Sequence, residues 1–239
     1  MNRRDFLKVG LSLPFSPLTN LDNYEEKLYF EAKKDIYLTI DDGPRQNLEN
    51  ILKNIMPEDR LTFFVLGCLL ENKNGHLAAC NLLEKGHALG NHSYSHPNFS
   101  FISLDEAKKE IEKTHILLSK IYKDVSVKEE LLFRFPYGNP GFQVIKWNNN
   151  ITGSPEKKQE LNKFLKSLGY KIYYWDFDME DWEYYKHKKT ISDLLCEVEE
   201  FKENQIVMAH EIPVTIEIIL PYCIELGIYN FKKLPKQHC

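Results

Sequence analysis

Arginine is scarce in this chain of 239 residues: five stand beside 26 lysines, and two of the five, Arg3 and Arg4, are adjacent. An excess of positive charge is also lacking. The formal net charge is -4, the pI is about 6.1, and the lysines lie scattered among Asp and Glu. That balance argues against nucleic acid as a partner and reads as a solvated surface. No apolar run approaches the ~20 residues of a membrane-spanning helix. Cys68, Cys80, Cys196, Cys223 and Cys239 form no Cys-x-x-Cys pair, which argues against a thiolate metal site. Disulfides stay open, with at least one thiol left over from the odd count. There is no internal repeat and no low-complexity tract. What the chain does have is apolar substance, 43% hydrophobic and 13% aromatic residues, enough for one larger α/β domain or two small ones.

The scarcity of arginine makes the pair at the start informative. Asn2-Arg3-Arg4-Asp5-Phe6-Leu7-Lys8 resembles a twin-arginine export signal, in which paired arginines, Phe, Leu and often Lys precede an apolar stretch. The apolar stretch here, Val9 to Leu18, is short and interrupted by Pro14 and Pro17. A basic amphipathic start to a cytoplasmic domain is the plainer alternative. The expected organisation is a leader and linker over 1–34, a single domain over 35–234 and a tail over 235–239, with the protein exported to the periplasm or cell envelope.

Beyond the linker, short apolar runs alternate with longer amphipathic ones. Strands are expected at Ile36–Ile40, Leu61–Val65, His87–Gly90, Leu131–Phe135, Lys171–Trp175, Gln205–Ala209 and Gly227–Phe231. Helices are expected near Asn47–Ile55, Gly75–Lys85, Leu104–Tyr122, Ser154–Leu168, Thr190–Phe201 and Val214–Leu226. The third helix has Ser103 as N-cap and Glu106 to complete a capping box. Such alternation implies parallel strands, in a barrel or an open sheet.

The polar residues favour the barrel. Asp41 and Asp42 follow the first strand and His92 and His96 the third. Arg134 ends the fourth, Asp176, Asp178 and Asp181 follow the fifth, and His210 ends the sixth. In a barrel, the carboxyl ends of the strands ring one mouth, where such folds assemble their sites; in an open sheet five strand ends could not all reach one switch point. The pair His92 and His96 is spaced so that a helical turn would set the two imidazoles side by side, with Cβ atoms roughly 5–6 Å apart. One carboxylate and two imidazoles give the three protein ligands of a metal site with a position open for water. The other carboxylate is left over as a base, and the combination is the apparatus of metal-assisted hydrolysis. A buried Arg134 needs an anionic partner, which the carboxylate pair can supply. Trp182 at the mouth could be a platform for a sugar ring, and His210 a candidate acid. His76, His115, His187 and His238 lack such company and are expected at the surface.

Taken together, these residues identify the chain as similar to the polysaccharide deacetylases, the NodB-homology or chitin deacetylase domain of carbohydrate esterase family four. The family motif Thr-x-Asp-Asp-Gly matches Thr39 to Gly43, and His-(Ser/Thr)-x-x-His matches His92 to His96. Arg134-Phe135-Pro136-Tyr137-Gly138 matches the third motif and Asp178 to Trp182 the fourth. The fifth, Leu-x-His, falls on Met208-Ala209-His210 with Met in place of Leu. The likeness runs from about Asp35 to Leu234.

The resemblance implies a distorted (β/α)7 barrel that removes acetyl groups from N-acetylated, sometimes O-acetylated, sugars with one divalent metal, usually zinc. It implies that Asp42, His92 and His96 hold the metal and that Asp41 is the general base. Arg134 would orient Asp41, His210 would protonate the leaving amine, and Asp181 would tune His210. The backbone N–H of Tyr137 would help to stabilise the oxyanion. Two other functions fit the same residues: an acetyl ester hydrolase on O-acetylated polysaccharide, and a catalytically silent glycan-binding module.

The leader can be tested alone. Residues 1–30 fused to a reporter should carry it out of the cytoplasm by the folded-protein route, and Arg3→Lys with Arg4→Lys should stop this. Export indifferent to the double change removes the role assigned to the arginine pair.

Overall fold

Residues 33–45, 52–53, 55–145 and 150–235 are described in the computed structural model of the chain. The expected leader up to Ala32, most of the expected helix Asn47–Ile55, Trp147, His238 and the tail beyond Pro235 lie outside the described residues.

The strands, in chain order, are β1 (Lys34–Gly43), β2 (Thr62–Val65), β3 (Ala88–Asn91), β4 (Leu132–Phe133), β5 (Phe142–Ile145), β6 (Asn150–Gly153), β7 (Lys171–Ile172), β8 (Phe177–Asp178), β9 (Ile206–His210) and β10 (Tyr229–Phe231). The helices are α1 (Gly67–Leu70), α2 (Lys73–Glu84), α3 (Leu104–Asp124), α4 (Pro155–Ser167), α5 (Ile191–Glu199) and α6 (Leu220–Leu226). Their starts are written in the sequence. Asn72, Ser103, Ser154 and Thr190 each accept a backbone N–H of the first turn, and Ser103 with Glu106 forms the expected capping box.

Successive strand residues point to opposite faces, and the burial follows that parity. Ile36, Leu38 and Ile40 of β1, Phe63 and Val65 of β2 and Leu89 of β3 join the large apolar cluster that also takes in α2 and α5 residues such as Leu82, Leu83, Leu194 and Val198. Residues of the other parity, Phe64, Ala88 and Leu132, gather with Tyr173 and Leu234 in a small cluster, against which Tyr37 packs. Helices therefore cover the outside of a sheet that curls around a narrow interior. Within the main sheet the order is β7-β4-β3-β2-β1-β9-β8, with β10 beside the start of β1, and every pair is parallel.

The ring closes where the expected strand Lys171–Trp175 stops short at Ile172 and a further strand, β8, begins at Phe177. Lys171 N and Tyr173 N donate to Leu131 O and Phe133 O beside β4, while Asp176 N donates to Ile206 O of β9. One stretch of chain thus passes from one edge of the sheet to the other, and the result is a distorted (β/α)7 barrel. The segment Gly138 to Pro155 contains the antiparallel hairpin β5–β6 apart from the main sheet. His76 and His115 depart from expectation: both are half-buried, with His76 Nε2 3.1 Å from Asp124 Oδ2 and His115 Nδ1 3.0 Å from Tyr170 Oη. Cys68, Cys80, Cys196 and Cys223 are free thiols.

At Gly90, inside β3, a Cβ would come 2.5 Å from two ring atoms of Phe64 and 3.1 Å from Leu132 O. Phe64 is itself fully buried and cannot retreat. Gly90→Ala should therefore lower stability by about 1–3 kcal/mol, read as a lower urea midpoint with unchanged slope. An unchanged midpoint would mean that the interior is looser than described.

Candidate functional site

The two adjacent aspartates lead to different places, and the backbone is the reason. Asp41 still follows strand alternation and shares a face with Thr39. At Asp42 the chain bulges: the pairing of β1 with β2 shifts register between Asp41 and Gly43, and Asp42 has φ 70°. Its side chain swings away from Asp41. Gly43 follows because a Cβ there would lie 1.8 Å from Glu211 Oε2.

Asp41 goes to Arg134, which is fully buried at the end of β4. Arg134 Nη1 donates to Asp41 Oδ1 at 2.8 Å and to Thr39 Oγ1 at 2.7 Å, and Nη2 donates to Tyr174 O at 3.1 Å. The guanidinium carbon lies 4.2 Å above the Phe64 ring. Burial raises the Asp41 carboxyl above the ordinary aspartate range, against the opposing pull of Arg134, His210 and His96. Burial likewise lowers Arg134, against Asp41.

Asp42 goes to the histidines. Its Oδ1 is 3.6 Å from His92 Nε2 and 3.3 Å from His96 Nε2. The three residues can offer ligand atoms that all lie within 4.8 Å of one another. His92 Nδ1 is 2.8 Å from Arg134 O; a carbonyl only accepts, so Nδ1 carries the proton and Nε2 presents its lone pair. Burial pushes His92 down to about 3, with Asp42 opposing, which keeps the ring neutral. Asp42 Oδ1 is buried and finds no hydrogen-bond donor. A buried carboxylate oxygen without a donor, faced by two imidazole nitrogens, suits a cation, and two imidazoles with one carboxylate suit zinc. The donor set fits the expected metal.

The pair His92 and His96 is not on a helical turn. Ser93 and His96 have φ 68° and 62°, so the segment is a loop held by side chains. Asn91 Oδ1 accepts from Ser93 N, and Ser93 Oγ accepts from His96 N. The two imidazole centroids still come within 5.0 Å.

Across the mouth, His210 ends β9 directly opposite Asp41 in the β1–β9 ladder. Its Nδ1 is 2.7 Å from Asp181 Oδ1. Asp181 is fully buried: Oδ1 also accepts from Trp182 N, and Oδ2 accepts from His210 N and Thr215 Oγ1. Burial opposes charge on His210, but the bond and charge of Asp181, aided by Asp41 and Asp42, push it up to about 9. The ring is an imidazolium at neutral pH with Nε2 left to donate. Asp178, the other sequence candidate, instead accepts from Glu180 N.

Tyr137 stands beside this site, 63% exposed, with φ 57° and its ring 4.6 Å from that of His96. Trp182 is partly exposed, with Lys186 Nζ 4.2 Å above its ring. All nine sequence candidates thus gather at the carboxyl ends of the strands. Thr39 was passed over although its position two before Asp41 places it on the same face. Glu211 was missed too: it is 97% shielded, its Oε1 accepts from Arg45 N, and burial pushes its carboxyl up to about 7.

Comparison with known proteins places this geometry in company. The sequence model of the polysaccharide deacetylase family matches residues 31–153, just over half of the chain. Peptidoglycan-N-acetylmuramic acid deacetylase PdaC of Bacillus subtilis is 30% identical over 183 residues, covering 75% of this chain and 33% of that protein. Chitooligosaccharide deacetylase of Azorhizobium caulinodans is 26% identical over 183 residues, covering 76% of this chain and 75% of that protein. The chain therefore spans a third of the length of the first relative. The solved structure of peptidoglycan deacetylase PdaC from Bacillus subtilis superposes with a TM-score of 0.65 at 25% identity, over 84% of this chain and 88% of that one. The barrel is common to both.

Arg134→Ala should cost about 3–5 kcal/mol of stability, because it leaves a buried carboxylate unpaired. Adding Asp41→Asn should recover part of that loss, since the stranded charge goes with it. Urea unfolding of the two single variants and the double variant reads this directly. Strictly additive losses would mean that the two side chains do not depend on each other.

Proposed function

The chain belongs to the polysaccharide deacetylase family, and on that premise we propose that it hydrolyses the N-acetyl amide of amino sugars in a glycan. The observation that carries this reading is the parting of Asp41 and Asp42: Oδ1 of the first is bonded to Arg134, and Oδ1 of the second lies against the Nε2 atoms of both His92 and His96. Asp42 Oδ1, His92 Nε2 and His96 Nε2 would hold one divalent cation, zinc by the donor set. Bound there, the cation would supply Lewis-acid chemistry, acidifying a water toward ~7 and polarising the acetyl carbonyl.

The remaining steps belong to the chain. Asp41 keeps Oδ1 on Arg134, while Oδ2, 3.7 Å from His92 Nε2, borders the proposed cation site, where it would take the proton of the attacking water. Its raised carboxyl makes it a stronger base than an ordinary aspartate. Arg134 acts by holding Asp41 in place. An amide nitrogen leaves only as an amine, so a proton must reach it. His210, kept charged by Asp181, donates that proton from Nε2. The base and the acid are neighbours across one strand pair, which lets both reach a single acetyl group. The backbone N–H of Tyr137 would meet the developing oxyanion, and the Trp182 ring would stack on the sugar.

Both named relatives act on N-acetylated sugars, muramic acid in peptidoglycan for one and chitooligosaccharide for the other, which supports an amide over an ester. Peptidoglycan, a chitin oligomer or an exopolysaccharide is the proposed substrate. A cell-envelope substrate agrees with export by the leader over 1–34. The intact pair of Asp41 and His210 disfavours a silent binding module.

Acetate release from a panel of N-acetylated glycans, with and without a chelator, tests the activity, and elemental analysis of variants tests the roles. Asp42→Asn, His92→Ala and His96→Ala should lose both metal and activity. Asp41→Asn should keep the metal and lose about 10²–10⁴-fold in rate. His210→Ala should keep the metal and be less impaired on an activated ester than on an amide. Activity indifferent to chelation, or an Asp41→Asn protein that is metal-free or fully active, contradicts these assignments.

A further inference from the structure

The loop that carries His92 and His96 has a problem of backbone chemistry that its neighbours in sequence do not solve. Left-handed residues at Ser93 and His96 deprive it of the repeating carbonyl acceptors that a helix would provide. The amides of Tyr94 and Ser95 must find acceptors elsewhere. Both find the same one. Glu110, on α3, accepts from Tyr94 N at 2.9 Å and from Ser95 N at 2.7 Å on Oε2, and from Ser95 Oγ at 2.8 Å on Oε1. Hydrogen bonds to an ionised carboxylate are about twice as strong as neutral ones. Three of them on one side chain fix the middle of the loop to the helix.

The rest of that helix face does the same work on the loop's flanks. Ile111 O accepts from Asn91 Nδ2 at 3.0 Å, and Asn91 Oδ1 in turn accepts from Ser93 N at 2.9 Å. Lys113 Nζ stands 3.5 Å from the centroid of the Tyr94 ring. The helix itself is well founded, with its capping box at Ser103 and Ala107, Ile111, Leu118 and Ile121 buried. It is a rigid bar against which an irregular loop is held.

We propose that Glu110 is a positioning residue that sets the separation and aim of the His92 and His96 imidazoles. The inference rests on reading Asp42, His92 and His96 as a cation site. Without Glu110, two amides and a hydroxyl turn to water, the loop samples other conformations, and the cation must restore the geometry as it binds. Supporting partners around a metal site of this kind typically account for 10–100-fold in affinity.

The test uses the full chain and zinc alone, measured by competition with a chromogenic chelator. Amide exchange over 93–96 is followed in the metal-free protein. E110A should bind zinc about 10–100-fold more weakly and exchange the Tyr94 and Ser95 amides faster. E110Q should retain most of the affinity, because its amide oxygen still accepts from both N–H groups. The cobalt-substituted E110A protein should show an altered visible absorption band, reporting a changed ligand arrangement. E110D keeps the charge but withdraws it by one methylene; it should show the same losses to a smaller degree and serves if E110A does not fold. Zinc affinity and amide exchange in E110A equal to wild type would overturn the proposal. A wild-type protein that binds no zinc defeats the metal reading, and then unchanged exchange in E110A separately defeats the loop contact.

Discussion

A guanidinium and a carboxylate, both out of contact with water, hold the mouth of this barrel together. Arg134 and Asp41 are 0% and 2% exposed, and burying either alone would cost several kcal/mol. Each is tolerated because the other is there, and because Thr39 and the Tyr174 carbonyl take further guanidinium protons. The pair fixes more than itself. Through its side chain Arg134 reserves Asp41, and through its own carbonyl it sets the tautomer of His92. One residue at the end of β4 therefore orients a group from each side of the proposed chemistry. Phe64 supports the guanidinium from below, and the absence of a side chain at Gly90 is what lets that ring lie where it does.

Given that pair, the bulge at Asp42 becomes the second constraint. Two consecutive aspartates on a regular strand would face opposite ways, one into the interior and one out among the helices. The left-handed residue at 42 brings the second carboxylate back to the mouth without returning it to Arg134. The same device appears twice in the loop from His92 to His96. The irregular backbone at Asp42–Arg45 and at His92–His96 is fastened by side chains: Glu211 at the Arg45 amide, Asn91 at Ser93, Ser93 at His96, Glu110 at Tyr94 and Ser95. On the far side of the mouth the support differs in kind. Asp181 accepts from His210 twice, at the ring and at the backbone, so one buried carboxylate sets both the orientation of the imidazole and its charge.

Much of this was legible in the sequence, and the reasons differ by element. Each of the seven expected strands has a counterpart among the described residues, because runs such as Ile36–Ile40 and Gln205–Ala209 are short, largely apolar and bounded by polar stretches. The capping box at Ser103 and Glu106 was legible because it depends on residues three apart. The early end of the strand expected at Lys171–Trp175 and the new strand at Phe177–Asp178 were not, since the change of partner from β4 to β9 is decided by closure of the ring rather than by local preference. The hairpin β5–β6 carried no alternation clear enough to read. A spacing of four between His92 and His96 suggested a helix, and positive φ at two non-glycine residues cannot be read from such a spacing. Glu110 was invisible for a different reason: it lies outside every motif, and only the packing of α3 brings it to the loop. Asp178 competed in sequence with the chosen Asp181, and three dimensions separate them by the two hydrogen bonds that join Asp181 to His210.

The division of labour between the two carboxylates can be seen directly in crystals grown with zinc, with diffraction recorded on both sides of the zinc absorption edge. One ion is predicted, at about 2.0–2.2 Å from Asp42 Oδ1 and from the Nε2 atoms of His92 and His96, with Asp41 still hydrogen-bonded to Arg134. An ion that takes Asp41 as a ligand, an Arg134 released from Asp41 on binding, or no ion at these three residues would contradict it.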